Sequence, residues 1–494
     1  MTSHRVVLSA VGLMALAATV ACGTGGGVTL PNPQGNFSTA SLNGSYAYEI
    51  HGFDASFRPY RQVGVFTADG KGNITGGIDD SSFSAAGTTV TGSYQVGQDG
   101  TGLLSLNTSA GPITLATTLV SSSRLQLIEA DAFANATGSA DLQSSSALST
   151  TPTGTYVFRI HQEQSAQNQA PAAAVGSLQI SGGGASGGMD EYLAGTFTSP
   201  SITATFGTPS GSGRGTGTLV NSTTSFTTNF VYYIVDASRF LMLVTNASAV
   251  GSGSAELQSG SVANGLSGNY AFGSRGDDLS LSGFFAGVAT VGQFNAASGT
   301  MTGTLDATQD GTITSNANFS SCYTPSASGR VVVSNLSGNT CSSTAAQVFW
   351  MVNPGRAFFL NASGAAVEDG TADLQPTQNF SIPTFSGQFS LVMAGLDGTP
   401  ELLSRVGTLQ FDGTGKLALN EVVNASLTQA GAQIPAGGIL TGTYSVGSNG
   451  RIIGTLSNSG GGLGLVMYAV SGSEAYVLQS DQGTFTSGMA QLQQ

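Results

Sequence analysis

The chain of 494 residues is long enough for several domains, each burying its own core. Charged residues are only 8% of it and the formal charge is -13, which argues against a phosphate-backbone partner and therefore against nucleic acid. Its 71 glycines are about twice the usual share of ~7%, yet hydrophobic residues at 40% leave ample surface to bury, so folding rather than disorder is expected.

Residues 1–21 have a basic start at His4 and Arg5, an apolar run from Val6 to Val20, then Ala21 ahead of Cys22, the layout of an export signal. The run falls short of the ~20 residues of a membrane-spanning helix, and no later stretch is long and apolar enough to span. The small residue followed by cysteine resembles the lipobox of bacterial lipoproteins, whose cysteine is lipidated and becomes the new N-terminus. That resemblance implies lipidation at Cys22. Because Gly23 rather than aspartate follows, it also implies an envelope anchor at the outer membrane. Thr19 stands where the family usually has leucine, and ordinary signal cleavage nearby is the alternative. Residues 22–39, with Gly25-Gly26-Gly27 and Pro31-Asn32-Pro33, read as a flexible tether.

Four copies of one unit follow. A closing motif recurs as Ala140-Asp141-Leu142-Gln143, Ala255-Glu256-Leu257-Gln258, Ala372-Asp373-Leu374-Gln375 and Ala490-Gln491-Leu492-Gln493. An opening motif recurs as Gly44-Ser45-Tyr46, Gly154-Thr155-Tyr156, Gly268-Asn269-Tyr270 and Gly387-Gln388-Phe389. Both markers give a period of about 115 residues and place the units at 40–145, 150–260, 264–376 and 384–494, with no room for a separate catalytic domain.

Within a unit the hydrophobic period is 2. Tyr46, Tyr48 and Ile50 share one face of the first strand, which is expected to be the core. Glu49 and His51, like Arg159 and His161 in the second unit, are expected on a solvent face. Turn signals such as Asp69-Gly70 and Asn449-Gly450 join successive strands as hairpins. Unit 1 divides into strands near 44–53, 61–68, 73–79, 89–96, 101–107, 112–120, 124–130 and 136–142. The expected fold is therefore all-β: four tandem antiparallel units, each an eight-stranded up-and-down meander closed as a barrel, with a β-sandwich as the alternative.

Arg124 and Asp141, Arg239 and Glu256, and Arg356 and Asp373 share one spacing of 17, and where unit 4 has Glu474 in place of the arginine its partner is Gln491. Each pair is expected as a structural cross-strand ion pair on strands seven and eight. Asp79, Asp190, Asp306 and Glu421 recur near the end of the third strand and read as solvated strand ends, with calcium binding the alternative. With Cys22 lipidated, Cys322 and Cys341 remain for a disulfide in an oxidising compartment. Trp350 reads as core, with sugar stacking the alternative. His51 and His161 lie in different units, and neither a GxSxG elbow nor an HExxH pair occurs, so no catalytic residues, metal site or cofactor are assigned.

The lipobox-like start and the four glycine-rich units together resemble uncharacterised exported bacterial lipoproteins built from tandem all-β domains. The resemblance supplies localisation and architecture only. The reading is a non-enzymatic cell-envelope lipoprotein, held to the membrane by its N-terminal lipid, that presents β modules to a surface protein or glycan. The alternative is a carrier holding a small ligand inside its barrels. Aromatics at 46, 48, 156, 158, 270, 272 and 389 argue for filled interiors and the inward glycines 64, 176, 292 and 407 for space.

Overall fold

The opening glycine of each unit adopts a positive φ, from 106° at Gly268 to 132° at Gly44, a backbone state that side chains disfavour. It turns the chain into the first strand beside the leucine of the closing motif, and a Cβ on Gly154 would meet Leu257 Cδ1 at 2.8 Å. The two sequence markers thus meet at one seam: Tyr46 pairs with Leu142, Tyr156 with Leu257, Tyr270 with Leu374 and Phe389 with Leu492. A computed structural model describes residues 35–164, 170–279, 287–309, 311–338, 340–376, 379–396, 401–425 and 438–494.

Unit 1 contains β1 (Asn43–Asp54), β2 (Pro59–Asp69), β3 (Asn73–Ser81), β4 (Ser84–Thr89), β5 (Thr91–Val96), β6 (Thr101–Thr108), β7 (Gly111–Ser121), β8 (Arg124–Glu129) and β9 (Ala134–Leu142). All but β4 close an eight-stranded antiparallel barrel through the β1–β9 and β2–β3 pairings, and β4 is a short addition paired with β3. Units 2, 3 and 4 repeat the barrel over Gly154–Leu257, Gly268–Leu374 and Ser386–Leu492. The barrel, not the sandwich, is the fold.

Side chains fill the barrels. Each inward glycine of the second strand lies opposite a large residue of the first: Gly64 faces Tyr48, Gly176 faces Phe158, Gly292 faces Phe272 and Gly407 faces Leu391. A Cβ on Gly176 would meet Phe158 Cζ at 2.8 Å and one on Gly292 would meet Phe272 at 2.6 Å, so these two seat aromatic rings, while Gly64 and Gly407 lie close against the third strand at Asp79 and Glu421; none leaves room. The first tyrosine of units 1 to 3 reaches the rim, where its hydroxyl donates to a turn carbonyl at 2.6 Å, Ser122, Ala237 or Pro354.

The four barrels close into a ring. First and second strands of one unit pack on the sixth and seventh barrel strands of the next: Val63 and Val65 on Tyr233 and Leu243, Val157 and Val175 on Trp350 and Phe358, Ala271 and Val291 on Tyr468 and Tyr476. The fourth contact returns to the start, with Val392 and Val406 of unit 4 on Ala116 and Ile128 of unit 1. The final glutamine of every closing motif clips the next unit. Gln143 Nε2 donates to Ile234 O at 2.6 Å, Gln258 to Met351 O at 2.8 Å, Gln375 to Ala469 O at 2.6 Å and Gln493 to Leu119 O at 2.7 Å.

An acid on the third strand locks three of these interfaces. Asp80 takes the Arg214 guanidinium at 2.6 Å and the Tyr233 hydroxyl at 2.5 Å. Asp190 takes Arg330 at 2.6 Å and Trp350 Nε1 at 2.7 Å, and Asp306 takes Arg451 at 2.6 Å and the Tyr468 hydroxyl at 2.7 Å. These carboxylates are buried, which corrects the expectation of solvated strand ends, and Trp350 is a buried interface residue. Asp80, not Asp79, is the unit 1 counterpart, because Val63 pairs with Asp80 as Val175 pairs with Asp190 and Val291 with Asp306. One residue along a strand changes the face. Asp79 points into barrel 1, where Gln62 and Ser109 donate to it, and Glu421 points into barrel 4 onto Arg405 at 2.8 Å. At the fourth interface all three parts of the lock are replaced, by Val422, Thr101 and Thr118. Asn135 and Asn424 bridge it instead, Asn135 donating to Asn424 O at 2.8 Å and Asn424 to Glu129 O at 2.9 Å.

Candidate functional site

Ring closure turns the outward face of every first strand toward the central axis. Glu49, His51, Arg159 and His161 therefore do not face open solvent, as period 2 alone suggested, but line a cavity of about 230 Å³ between the barrels. Two levels of the axis are occupied by one side chain from each unit: His51, His161, Arg275 and Ala394, then Phe53, Glu163, Asp277 and Leu396. The charged groups come from units 1 to 3 and the unit 4 side is apolar.

Most charges here pair across unit boundaries. Arg61 Nη2 lies 2.5 Å from Glu163 Oε1, Ser252 donates to Glu49 Oε1 at 2.6 Å, and Arg159 Nε lies 3.4 Å from Asp369. His161 Nδ1 lies 2.7 Å from Asp369 Oδ1 and its Nε2 is 3.4 Å from Asp277 Oδ2. Burial disfavours the imidazolium, but hydrogen bonds to Asp277 and Asp369 and the charges of Asp369 and Glu163 outweigh it, and the His161 pKa rises to about 10. His51, in contrast, is pushed well below the usual range by burial and by the positive charges of Arg275 and Arg61. Burial, then Arg159, bring Arg275 down to about 10.

The recurring arginine and acid form a belt around the axis at the end where the units' first strands begin, here called the entry end. Arg124 Nη1 lies 2.8 Å from Asp141 and Arg356 Nη1 lies 2.8 Å from Asp373. Arg239 sits opposite Glu256 in register, yet its ion pair is with Asp141 of the preceding unit at 2.6 Å, correcting the expected Arg239–Glu256 pair. Arg356 likewise reaches back to Glu256 at 2.9 Å, Tyr476 donates to Asp373, and Arg124 Nε donates to Gln491 Oε1 at 3.2 Å. The same step therefore repeats at all four boundaries: a seventh-strand side chain reaches the last strand of the unit before. A sequence spacing within one unit could not show this, since a strand position near a boundary has two candidate partners.

Cys322 and Cys341 are bonded, with 5.9 Å between their Cα atoms. The disulfide ties two 14-residue strands, Thr312–Pro325 and Thr340–Asn353, whose outer halves extend as mostly exposed ribbon beyond barrel 3 at the far end. The far end also carries β4, the short strand Thr196–Thr198, and the exposed apolar residues Phe57, Phe83, Phe226 and Ile439. Most hairpin turns at the entry end are short, for example Asp69 to Asn73, where Asp69 accepts from the backbone N–H groups of Lys71 and Asn73, and the longer segments that join one unit to the next run there too. The described chain starts at that end, with Phe37 N donating to Gln98 O at 3.3 Å. Cys22, the signal 1–21 and the tether up to residue 34 lie outside the described residues. Among the described residues no helix is long and apolar enough to cross a membrane, and no three His, Cys, Asp or Glu side chains are grouped to hold a metal ion.

No family model matches the chain, and no curated protein does. Among solved structures it is similar to transferrin binding protein B from Haemophilus parasuis, with 9% identity and a TM-score of 0.18 over 74% of this chain and 82% of that one. The isotype 1 transferrin binding protein B from serogroup B Neisseria meningitidis gives 9% identity and a TM-score of 0.19 over 75% and 83%. Neither the identity nor the TM-score of these likenesses carries an inference about function.

Proposed function

We propose that this is a non-enzymatic, exported envelope lipoprotein, anchored through Cys22 at the outer membrane, whose rigid ring presents its far-end loops to a surface partner. The observation that carries this reading is the polarity of the ring. The described chain begins at the entry end, together with the segments that join one unit to the next, while the added strands, the disulfide-tied ribbon and the exposed aromatics gather at the other. In repeat architectures the insertions that differ between units concentrate on one face, often the binding face. A ring on an entry-end tether holds that face away from the membrane. Filled barrel interiors weigh against carriage of a ligand inside a barrel; the void in barrel 2 is about 40 Å³.

Site-specific photocrosslinking in the native host tests the polarity. A photoreactive residue at Phe83 or Phe226 is expected to capture one common partner. The same residue at Leu103 or Ile453, exposed on strands near the entry end, is expected to capture none. Capture from the entry-end positions alone, or equally from both, overturns the reading. Cys22→Ala is expected to move the protein from the membrane fraction to the soluble exported fraction.

A further inference from the structure

The axial cavity sets four carboxylates, Glu49, Glu163, Asp277 and Asp369, against Arg61, Arg159, Arg275 and the charged His161, and Arg275 is the cation left without an acid at close range. Arg275 lines it, and among the described residues no carboxylate lies within 4 Å of its guanidinium, although Arg61 and Arg159 are each paired. Three guanidiniums around one small space repel one another, and the fork of donors on Arg275 matches a carboxylate in two parallel hydrogen bonds. A second group is incomplete as well. Glu163 is 4% exposed; its Oε1 accepts from Arg61, but its buried Oε2 finds no donor among the described residues. The buried Nε2 of His51 is likewise unpartnered. Buried polar atoms left this way are costly, and a donor from outside relieves the cost.

We propose that this cavity binds a compact organic acid carrying a hydrogen-bond donor beside its carboxylate, an α-hydroxy or α-amino acid, with the carboxylate on Arg275 and the donor on Glu163 Oε2. Size limits the class: at ~30 Å³ per water the space of about 230 Å³ holds roughly eight waters, room for a small organic acid but not for a sugar chain or a lipid. The apolar wall from Ala394 and Leu396 faces the carbon skeleton. Ligand binding of this kind is independent of whether the far-end loops engage a partner.

Titration calorimetry on the whole exported chain, with L-lactate, L-serine and propionate as probes, tests it. Lactate or serine is expected to bind once per chain, and propionate, which has the carboxylate without the donor, at least tenfold more weakly. Arg275→Gln is expected to weaken binding at least tenfold while the melting temperature holds, because no native ion pair is lost. Ala394→Phe, which fills the cavity from its apolar side, is expected to abolish binding, and Arg58→Gln, an exposed arginine outside the cavity, to change nothing. Failure of both lactate and serine to bind at millimolar concentration overturns the proposal, as does propionate binding equally well. Undiminished affinity in both Arg275→Gln and Ala394→Phe does so too.

Discussion

His161 stays charged because Glu163 of its own unit and Asp277 and Asp369 of unit 3 surround it. Its pKa is raised from 6.5 to about 10, so the stability it contributes is complete below pH 6.5 and lost as pH rises toward 10. The melting-temperature difference between the native chain and His161→Gln is therefore expected to be largest at pH 6 and to shrink by pH 10, which scanning fluorimetry across that range checks. Glu129 poses the opposite case. It is fully buried at the far end of barrel 1, neither of its oxygens has a donor among the described residues, and burial, then Asp131, push its pKa well up. With a raised carboxyl, stability is full below the unfolded pKa and falls progressively as pH climbs from there through the folded one, so Glu129→Gln is expected to raise the neutral-pH melting temperature by roughly 2–4 °C for each kcal/mol relieved. Neither environment was legible in the sequence. Period 2 separated inward Tyr46 and Tyr48 from outward Glu49 and His51, but what covers an outward face is set by residues about a hundred positions away.

At the scale of the strand, β2 shows what signal was available. Pro59 to Phe66 are buried without interruption, including the outward Val63 and Val65, whereas a strand covered on one side alternates. Apolar residues on both faces of the second strand are the mark of a further layer, and the barrel reading left that outer row unused. Spacing also located the recurrent third-strand acid in units 2 and 3 but fell one residue short in units 1 and 4, where only the pairings of Val63 with Asp80 and of Val406 with Val422 show the counterpart position. The locks make a sharp prediction. Asp190→Ala strands Arg330 and Trp350 Nε1 at the 2–3 interface and is expected to cost about 2–4 kcal/mol, reduced from a fully buried pair because the arginine is partly exposed. Denaturant titration measures it. Replacing Cys322 and Cys341 by serine removes a closed loop of about 20 residues, worth about 3 kcal/mol on chain entropy, and the loss is expected in the unit 3 transition, read by hydrogen exchange.

The molecule as a whole depends on its one unlocked seam. Units 4 and 1 meet through Val392, Val406, Ala116 and Ile128 and the two asparagines, without the buried acid of the other three. Val392→Asp with Val406→Asp is expected to open the ring there while each barrel stays closed. Small-angle scattering would then show the radius of gyration rising from roughly 23 Å, the value for a compact chain of this length. An unchanged radius would mean that the seam is not what holds the ring. Four barrels around one axis also have the shape of a homotetramer, and in a true homotetramer every level of the axis would carry four copies of one side chain. Four arginines, or four glutamates, would then crowd a single point and repel. Fusing the four copies into one chain lifts that restriction: the level that holds His51 holds His161, Arg275 and Ala394 as well, and the next sets Phe53 and Leu396 beside Glu163 and Asp277. Duplication supplied the symmetry of the shell, and covalent linkage let mutation act on each quarter of the centre separately.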